Sequence, residues 1–305
     1  PEDFIASAFY YYSARLVARA AAALGCQPQA DAYERLSAEV KAAIQAEYFT
    51  TTGRFAIPTQ TGYVLTLFMD LAPDAYRERV KRDLISRLNL DNTHLRTGFV
   101  GTPYLCRVLS NIGANDLAYQ LLLNEDYPSW LYAVNLGATT IWERWNSLNP
   151  DGSISSTSMN SLNHYAYGSI VEWMYRDMCG LNPSSGEDGI TGFRHARIAP
   201  KPDKSLHWAR ARYRSAAGAY ESGWRIDEAG HLTIKIIIPF NASASVVLPD
   251  ARMGEITVNG SALYEGQQRE NSVDVTLGAG SYTFEYPFLA QEIAAETEVR
   301  SPDSM

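Results

Sequence analysis

From Glu2 to about Leu181, apolar residues recur at helical spacing. In the first run Phe4, Ala8, Tyr11, Tyr12, Arg15 and Leu16 follow this period and predict a helix ending near Gly25. A second run, from about Pro28 to Tyr48, mixes acidic, basic and alanine residues as a solvent-facing outer helix does. "GYVLTLFMDLA" is almost wholly apolar and predicts an inner helix, whereas "PDAYRERVKRDLISRL" returns to a charged face. "GTPYLCRVLSNIG", "NDLAYQLLLNED" and "NHYAYGSIVEWMYRDMCG" continue the series, starting near Pro, Asn or Gly, and several end on Gly. Alternation of buried and exposed helices is the rhythm of helical hairpins wound into a toroid.

After Asn182 the period changes. "NPSSGEDGITG" reads as a turn-rich linker, and "HLTIKIIIPF", "SASVVLP", "ITVNG", "SVDVTLGAG" and "SYTFEYPF" read as strands separated by Pro, Gly and Asn turns. The expected organisation is a helical domain over 1–182, an antiparallel β-sandwich over 183–288 and a polar, disordered tail over 289–305.

Composition narrows the function. The chain has 305 residues, 46% of them hydrophobic, enough for two packed domains. A formal charge of −8 argues against nucleic-acid and anionic-membrane partners and favours a neutral one. Cys26, Cys106 and Cys179 lack ligand or disulfide spacing, so free thiols and no metal are expected. No apolar run approaches the roughly 18 residues that span a bilayer, so a soluble protein is expected, with its compartment left open. The start at Pro1, just ahead of a helix, suggests a piece of something longer.

Candidate chemistry concentrates between Tyr127 and Tyr167, where Trp130, Trp142 and Trp145 accompany one carboxylate, Glu143. A sugar ring has an apolar face and a hydroxyl rim, so its site needs flat aromatic walls and a few fixed polar groups. Aromatic walls also desolvate a carboxylate, which suits acid/base work. The residues alone leave a plainer reading open: Glu143 paired with Arg144 or another arginine, the tryptophans as ordinary core, and His164 as a capping or core histidine.

The strings "TGFVGTPYL", "LLLNEDYPSWLY", "GATTIWERW" and "MNSLNHYAYGSI" resemble the C-terminal part of the catalytic domain of α-L-rhamnosidases, glycoside hydrolase family 78. "PEDFIASAFYYYSARL", "TQTGYVLTL" and the strand-rich end share the resemblance, which spans the chain to about Phe288. It implies part of an (α/α)6 barrel followed by a C-terminal β-sandwich, and inverting hydrolysis of terminal α-L-rhamnosyl bonds without metal or organic cofactor. It also implies that Glu143 is the general base acting on water, that His164 binds a rhamnose hydroxyl, and that Trp142, Trp145 and Trp130 are candidate walls of the sugar subsite. The implied ligand is a rhamnose-containing glycoside or oligosaccharide.

One part of the family pattern has no match. The general acid of these enzymes belongs to an Asp/Arg/Glu-rich motif; "PDAYRERVKRD" has the residue types in the wrong order, so the acid is expected upstream of Pro1. Two rival readings stand beside this one: a non-catalytic carbohydrate-binding or structural fragment, and an (α/α)6 glycosidase or lyase for another sugar.

Overall fold

The computed structural model describes residues 2–186 and 191–288. It divides into two compact units, residues 1–177 and the chain from Met178 onward. The expected tail, 289–305, lies outside the described residues.

The helical unit is built from successive pairs. Helices α1 (Glu2–Ala23) and α2 (Gln27–Tyr48) pack together across a three-residue turn. Gly25 makes that turn possible: at φ +72° it lets Gly25 and Cys26 donate back to Ala22 and Ala21, satisfying the carbonyls at the helix end. Next come α3 (Gln60–Phe68) with α4 (Arg77–Leu90), and α5 (Thr102–Asn111) with α6 (Asn115–Leu123). An aromatic cluster binds the first pairs together. Phe55, in the loop after α2, meets Phe4 and Phe49 at 5.1 Å and Tyr63 at 5.7 Å between ring centres. It is 1% exposed, and burying such a side chain contributes about 1.5–3 kcal/mol.

Two helices deviate from their sequence reading. The inner helix α3 stops at Phe68, because the backbone turns left-handed at Asp70 (φ 61°). The "NHYAYGSIVEWMYRDMCG" helix is three short pieces: a 3-10 turn at Ala166–Ser169, α8 at Ile170–Trp173 and a π-helical turn at Met174–Met178. A six-residue helix, α7 (Trp130–Asn135), precedes it and is capped by Ser129, whose hydroxyl accepts from the Tyr132 N–H. For the elements in chain order after α6, the last two helices are thus α7 and α8.

The second unit is a sandwich of two sheets. The strands are β1 (Leu181–Ser185), β2 (Thr191–Ile198), β3 (Trp208–Ser215), β4 (Gly218–Ile226), β5 (His231–Ile238) and β6 (Ser243–Pro249). Three short ones follow, β7 (Thr257–Val258), β8 (Ser261–Ala262) and β9 (Gln267–Gln268), and then β10 (Ser272–Leu277) and β11 (Gly280–Pro287). Strand order is β1-β2-β6-β10-β9 in one sheet and β3-β4-β5-β11-β7-β8 in the other. Alternation drives the packing: Leu232, Ile234, Ile236 and Ile238 of β5 are at most 2% exposed while Lys235 and Ile237 between them face out. Tyr220 on β4 donates to the Phe193 carbonyl on β2 at 2.7 Å and so links the sheets.

The sequence reading is corrected in two places here. Of the expected linker, Asn182–Ser185 belong to strand β1, paired antiparallel with β2, and Thr191 and Gly192 open β2. The sandwich is also not purely antiparallel, since β2 and β6 run parallel, with His195 opposite Ser243. Cys26 is exposed, whereas Cys106 and Cys179 are buried, and burial pushes the Cys179 thiol up to about 12. Among the described residues, no helix is long and apolar enough to cross a membrane.

Candidate functional site

Between α7 and the Ala166 turn the chain forms almost no regular structure, and the two candidate motifs lie in this stretch. They are joined to one another by backbone. The Glu143 N–H donates to the Ser161 carbonyl at 2.9 Å, and the His164 N–H donates to the Ile141 carbonyl at 2.7 Å. The Thr140 hydroxyl adds a bond to the Leu162 carbonyl. "TTIWE" and "SLNH" therefore run side by side, and Glu143 and His164 are held on neighbouring segments.

The clasp fixes the Glu143 side chain as well. The Ser161 N–H donates to its Oε2 at 2.7 Å, while among the described residues Oε1 has no hydrogen-bond partner and the carboxylate forms no ion pair. Arg144, a partner that the sequence left open, is engaged elsewhere: its guanidinium donates to the Ser158 carbonyl at 3.0 Å. Glu143 is half-buried. A carboxylate anchored through one oxygen and open at the other is aimed without being neutralised, which is the condition for accepting a proton from a bound molecule.

His164 is oriented by three contacts. Its Nδ1 accepts from the Ala166 N–H at 3.2 Å, so in the neutral ring the hydrogen sits on Nε2, which has no partner among the described residues. The imidazole stacks on Phe99 at 4.8 Å and on Tyr165 at 5.0 Å. It can therefore present one N–H donor in a fixed plane.

The three tryptophans converge on a cavity of about 290 Å³ whose wall includes neither Glu143 nor His164. Trp130 and Trp142 are 8% and 5% exposed. Trp145 stacks on Tyr167 at 3.7 Å and meets Trp130 edge-on at 5.3 Å. Two of the three indole N–H groups are spent internally, Trp130 on the Tyr167 carbonyl at 2.9 Å and Trp145 on the Thr97 carbonyl at 3.1 Å. Burial, with Tyr127 adding to it, pushes the Tyr167 phenol up to about 12, so it stays neutral. Phe99 touches both groups, lying 5.4 Å from Tyr167 and stacked on His164, and bridges the aromatic cavity to the polar pair.

Sequence reasoning missed Phe99, Ser161 and Gln60. Phe99 lies in "TGFVGTPYL", which carries the family resemblance as a whole and gives its phenylalanine no separate signal. Gly101 does have a packing reason: a Cβ there would fall 2.5 Å from the Thr61 hydroxyl oxygen. Ser161 acts through its backbone, which leaves no side-chain signal. Gln60, 1% exposed, donates to Asp91 at 2.9 Å and to the His94 carbonyl at 2.8 Å, and accepts from the Arg96 N–H at 2.9 Å. It fixes the loop that ends on Thr97, the acceptor for Trp145.

Comparison with known proteins gives a consistent picture. The family model for the bacterial alpha-L-rhamnosidase six-hairpin glycosidase domain matches residues 1–178, and that for the bacterial alpha-L-rhamnosidase C-terminal domain matches 180–262. An alpha-L-rhamnosidase of Streptomyces avermitilis is 40% identical over 249 residues, 82% of this chain and 23% of its own length. One from Formosa agariphila is 36% identical over 290 residues, 93% of this chain and 31% of its own. The crystal structure of a Streptomyces avermitilis alpha-L-rhamnosidase complexed with L-rhamnose superposes with a TM-score of 0.84 at 36% identity, over 93% of this chain and 27% of that one. The chain thus spans about a quarter to a third of the length of these relatives.

Proposed function

The chain belongs to the bacterial α-L-rhamnosidase family, and from that premise we propose that it carries the general-base half of an inverting glycosidase site, with Glu143 as the base. The observation that carries this reading is the Glu143 carboxylate itself, held through Oε2 by the Ser161 N–H and left without an ion pair among the described residues. Oε1 is then the atom that takes a proton from water as the water attacks the anomeric carbon. The Nε2–H of His164 donates to a hydroxyl of the rhamnosyl ring and sets the sugar's position relative to the water. Trp145, Trp142 and Trp130 line a separate cavity, where they offer an apolar wall for what is attached to the ring.

Inversion needs a second carboxyl group, about 6.5–9.5 Å from the base, to protonate the leaving oxygen. We propose that this acid comes from outside the 305 residues, in keeping with the share of its relatives that the chain spans. The substrate reading, a terminal α-L-rhamnosyl glycoside, rests on family membership and on the L-rhamnose complex of the Streptomyces relative.

Glu143→Gln in the parent enzyme tests the base. Glutamine keeps an oxygen for the Ser161 N–H but cannot hold the proton, so hydrolysis of an aryl α-L-rhamnoside should fall by about 10² or more. Activity within about tenfold of wild type would falsify the assignment, given that general-base catalysis is worth about 10²–10⁴. Proton NMR of the first-formed sugar separately tests inversion: a product retaining the α configuration excludes it.

A further inference from the structure

A cavity of about 920 Å³ lies on the outer face of the six-stranded sheet. Strand register builds its floor. Trp208 of β3 stands opposite Arg225 of β4, which stands opposite Thr233 of β5 and, through it, Glu285 of β11. The next row in the same direction holds Arg210, Gly223, Lys235 and Thr283. Residues opposite one another across strands share a face, so both rows look outward. Gly223 keeps the middle of the trough at backbone height, because a Cβ there would fall 2.9 Å from the Ala209 carbonyl oxygen and 3.1 Å from Arg210 Cβ.

The charges in this trough are unequally committed. Glu221 draws in Arg210, and Arg212 approaches it at 3.4 Å. Arg225 and Lys235 form no ion pair among the described residues, on a chain whose formal net charge is −8. Diagonal neighbours across an antiparallel pair stand about 7–8 Å apart, so the two cations can share one anionic group. Beside them Trp208 leaves an indole 63% exposed, and Thr233 and Thr283 offer hydroxyls.

We propose that this trough is an accessory binding site for an acidic oligosaccharide, a uronate carboxylate lying between Arg225 and Lys235 while a sugar face packs on Trp208. An indole plate serves the apolar ring face, the hydroxyls serve the rim, and the guanidinium fork matches a carboxylate. The volume falls within the roughly 300–1,000 Å³ of small-ligand sites. The trough shares no residue with the Glu143 clasp, and its test reads binding, so it can fail without touching the rhamnosidase reading.

The test is calorimetric titration of the protein with tri-galacturonate and with the same trisaccharide after carboxyl reduction. The acidic form should bind at least tenfold more tightly, and R225Q/K235Q should abolish that difference. W208A should weaken both ligands several-fold. Circular dichroism and melting of both variants should match wild type, since all three side chains are exposed. Equal affinity for the two trisaccharides, no binding of either, or unchanged binding by R225Q/K235Q would each overturn the proposal. Displacement by acetate at equal carboxylate concentration would also overturn it, by reducing the site to one for any small anion.

Discussion

The two units hold their candidate binding surfaces in opposite ways. On the sheet, Arg225, Lys235 and Trp208 are set by register, and the side chains behind them, such as Ile234 and Ile236, are at most 1% exposed. In the helical unit the stretch from Leu136 to Tyr165 has one isolated bridge, Leu148 to Ile154, and Glu143 and His164 are held by individual hydrogen bonds. A surface backed by a ladder tolerates the loss of one bond. A clasp of four bonds does not, and small, local changes should disturb the helical unit's site before they disturb its fold.

Predictions that probe this contrast start with the cores. Trp173 is 1% exposed, donates to the Ser110 hydroxyl at 2.8 Å and meets Tyr119 edge-on at 5.1 Å. Trp173→Ala should cost about 3–5 kcal/mol in chemical unfolding, through the cavity it leaves and the loss of its bond to Ser110. Ile234→Ala, in the middle of β5, should cost about 2–4 kcal/mol by the same measurement. A loss under 1 kcal/mol at either position would mean that the packing around it is not what holds the unit.

Asn160→Ala separates the two regions. The Asn160 amide donates to the Ser147 carbonyl at 3.1 Å and to the Ser156 carbonyl at 3.0 Å, tying together the loop that presents Ser161. The expected global cost is only about 1–2 kcal/mol, for two hydrogen bonds to backbone. Amide exchange at Glu143 and Ser161 should nevertheless speed up markedly, since individual hydrogen bonds and no packed ladder hold that loop. If the variant instead loses as much stability as Ile234→Ala with unchanged local exchange, the loop belongs to the cooperative core and the contrast fails.

This difference also explains what the sequence made legible. Long periodic segments announced themselves: α1, α2, β5 and β6 fall close to the ranges read from apolar spacing. Strands β3 and β4 were not read, because "WARARYRS" buries only the small Ala209 and Ala211 between arginines and so carries a weak apolar signal. Within the candidate site the motif residues were legible by type, but their supports were not. Ser161 acts through its backbone N–H, and Gln60 reaches from α3 to a loop more than thirty residues away. Periodicity reports which face a residue occupies, and it carries no information about which distant carbonyl will meet it.

The smallest expected effect concerns the helical unit's own polar corner. Asp70, left-handed at the end of α3, takes a hydrogen bond from Lys41 of α2 at 3.1 Å and another from Arg77 of α4, and so joins three helices. Burial works to raise its carboxyl, but the bonds from Arg77 and Lys41 outweigh it and hold the group below the ordinary carboxylate value. Because the folded value is the lower one, this contribution is present above the ordinary carboxylate range and is lost as pH falls through the folded value. Asp70→Asn keeps a residue tolerant of positive φ while removing the charge. The side chain is 41% exposed, so solvent screening limits the expected loss at neutral pH to about 1 kcal/mol or less. The gap in melting temperature between wild type and Asp70→Asn should narrow as pH drops below the carboxylate range. A gap that stays constant from neutral to strongly acidic pH would show that the aspartate works through its shape at the turn, and that this corner, like the sheet, owes its hold to backbone geometry.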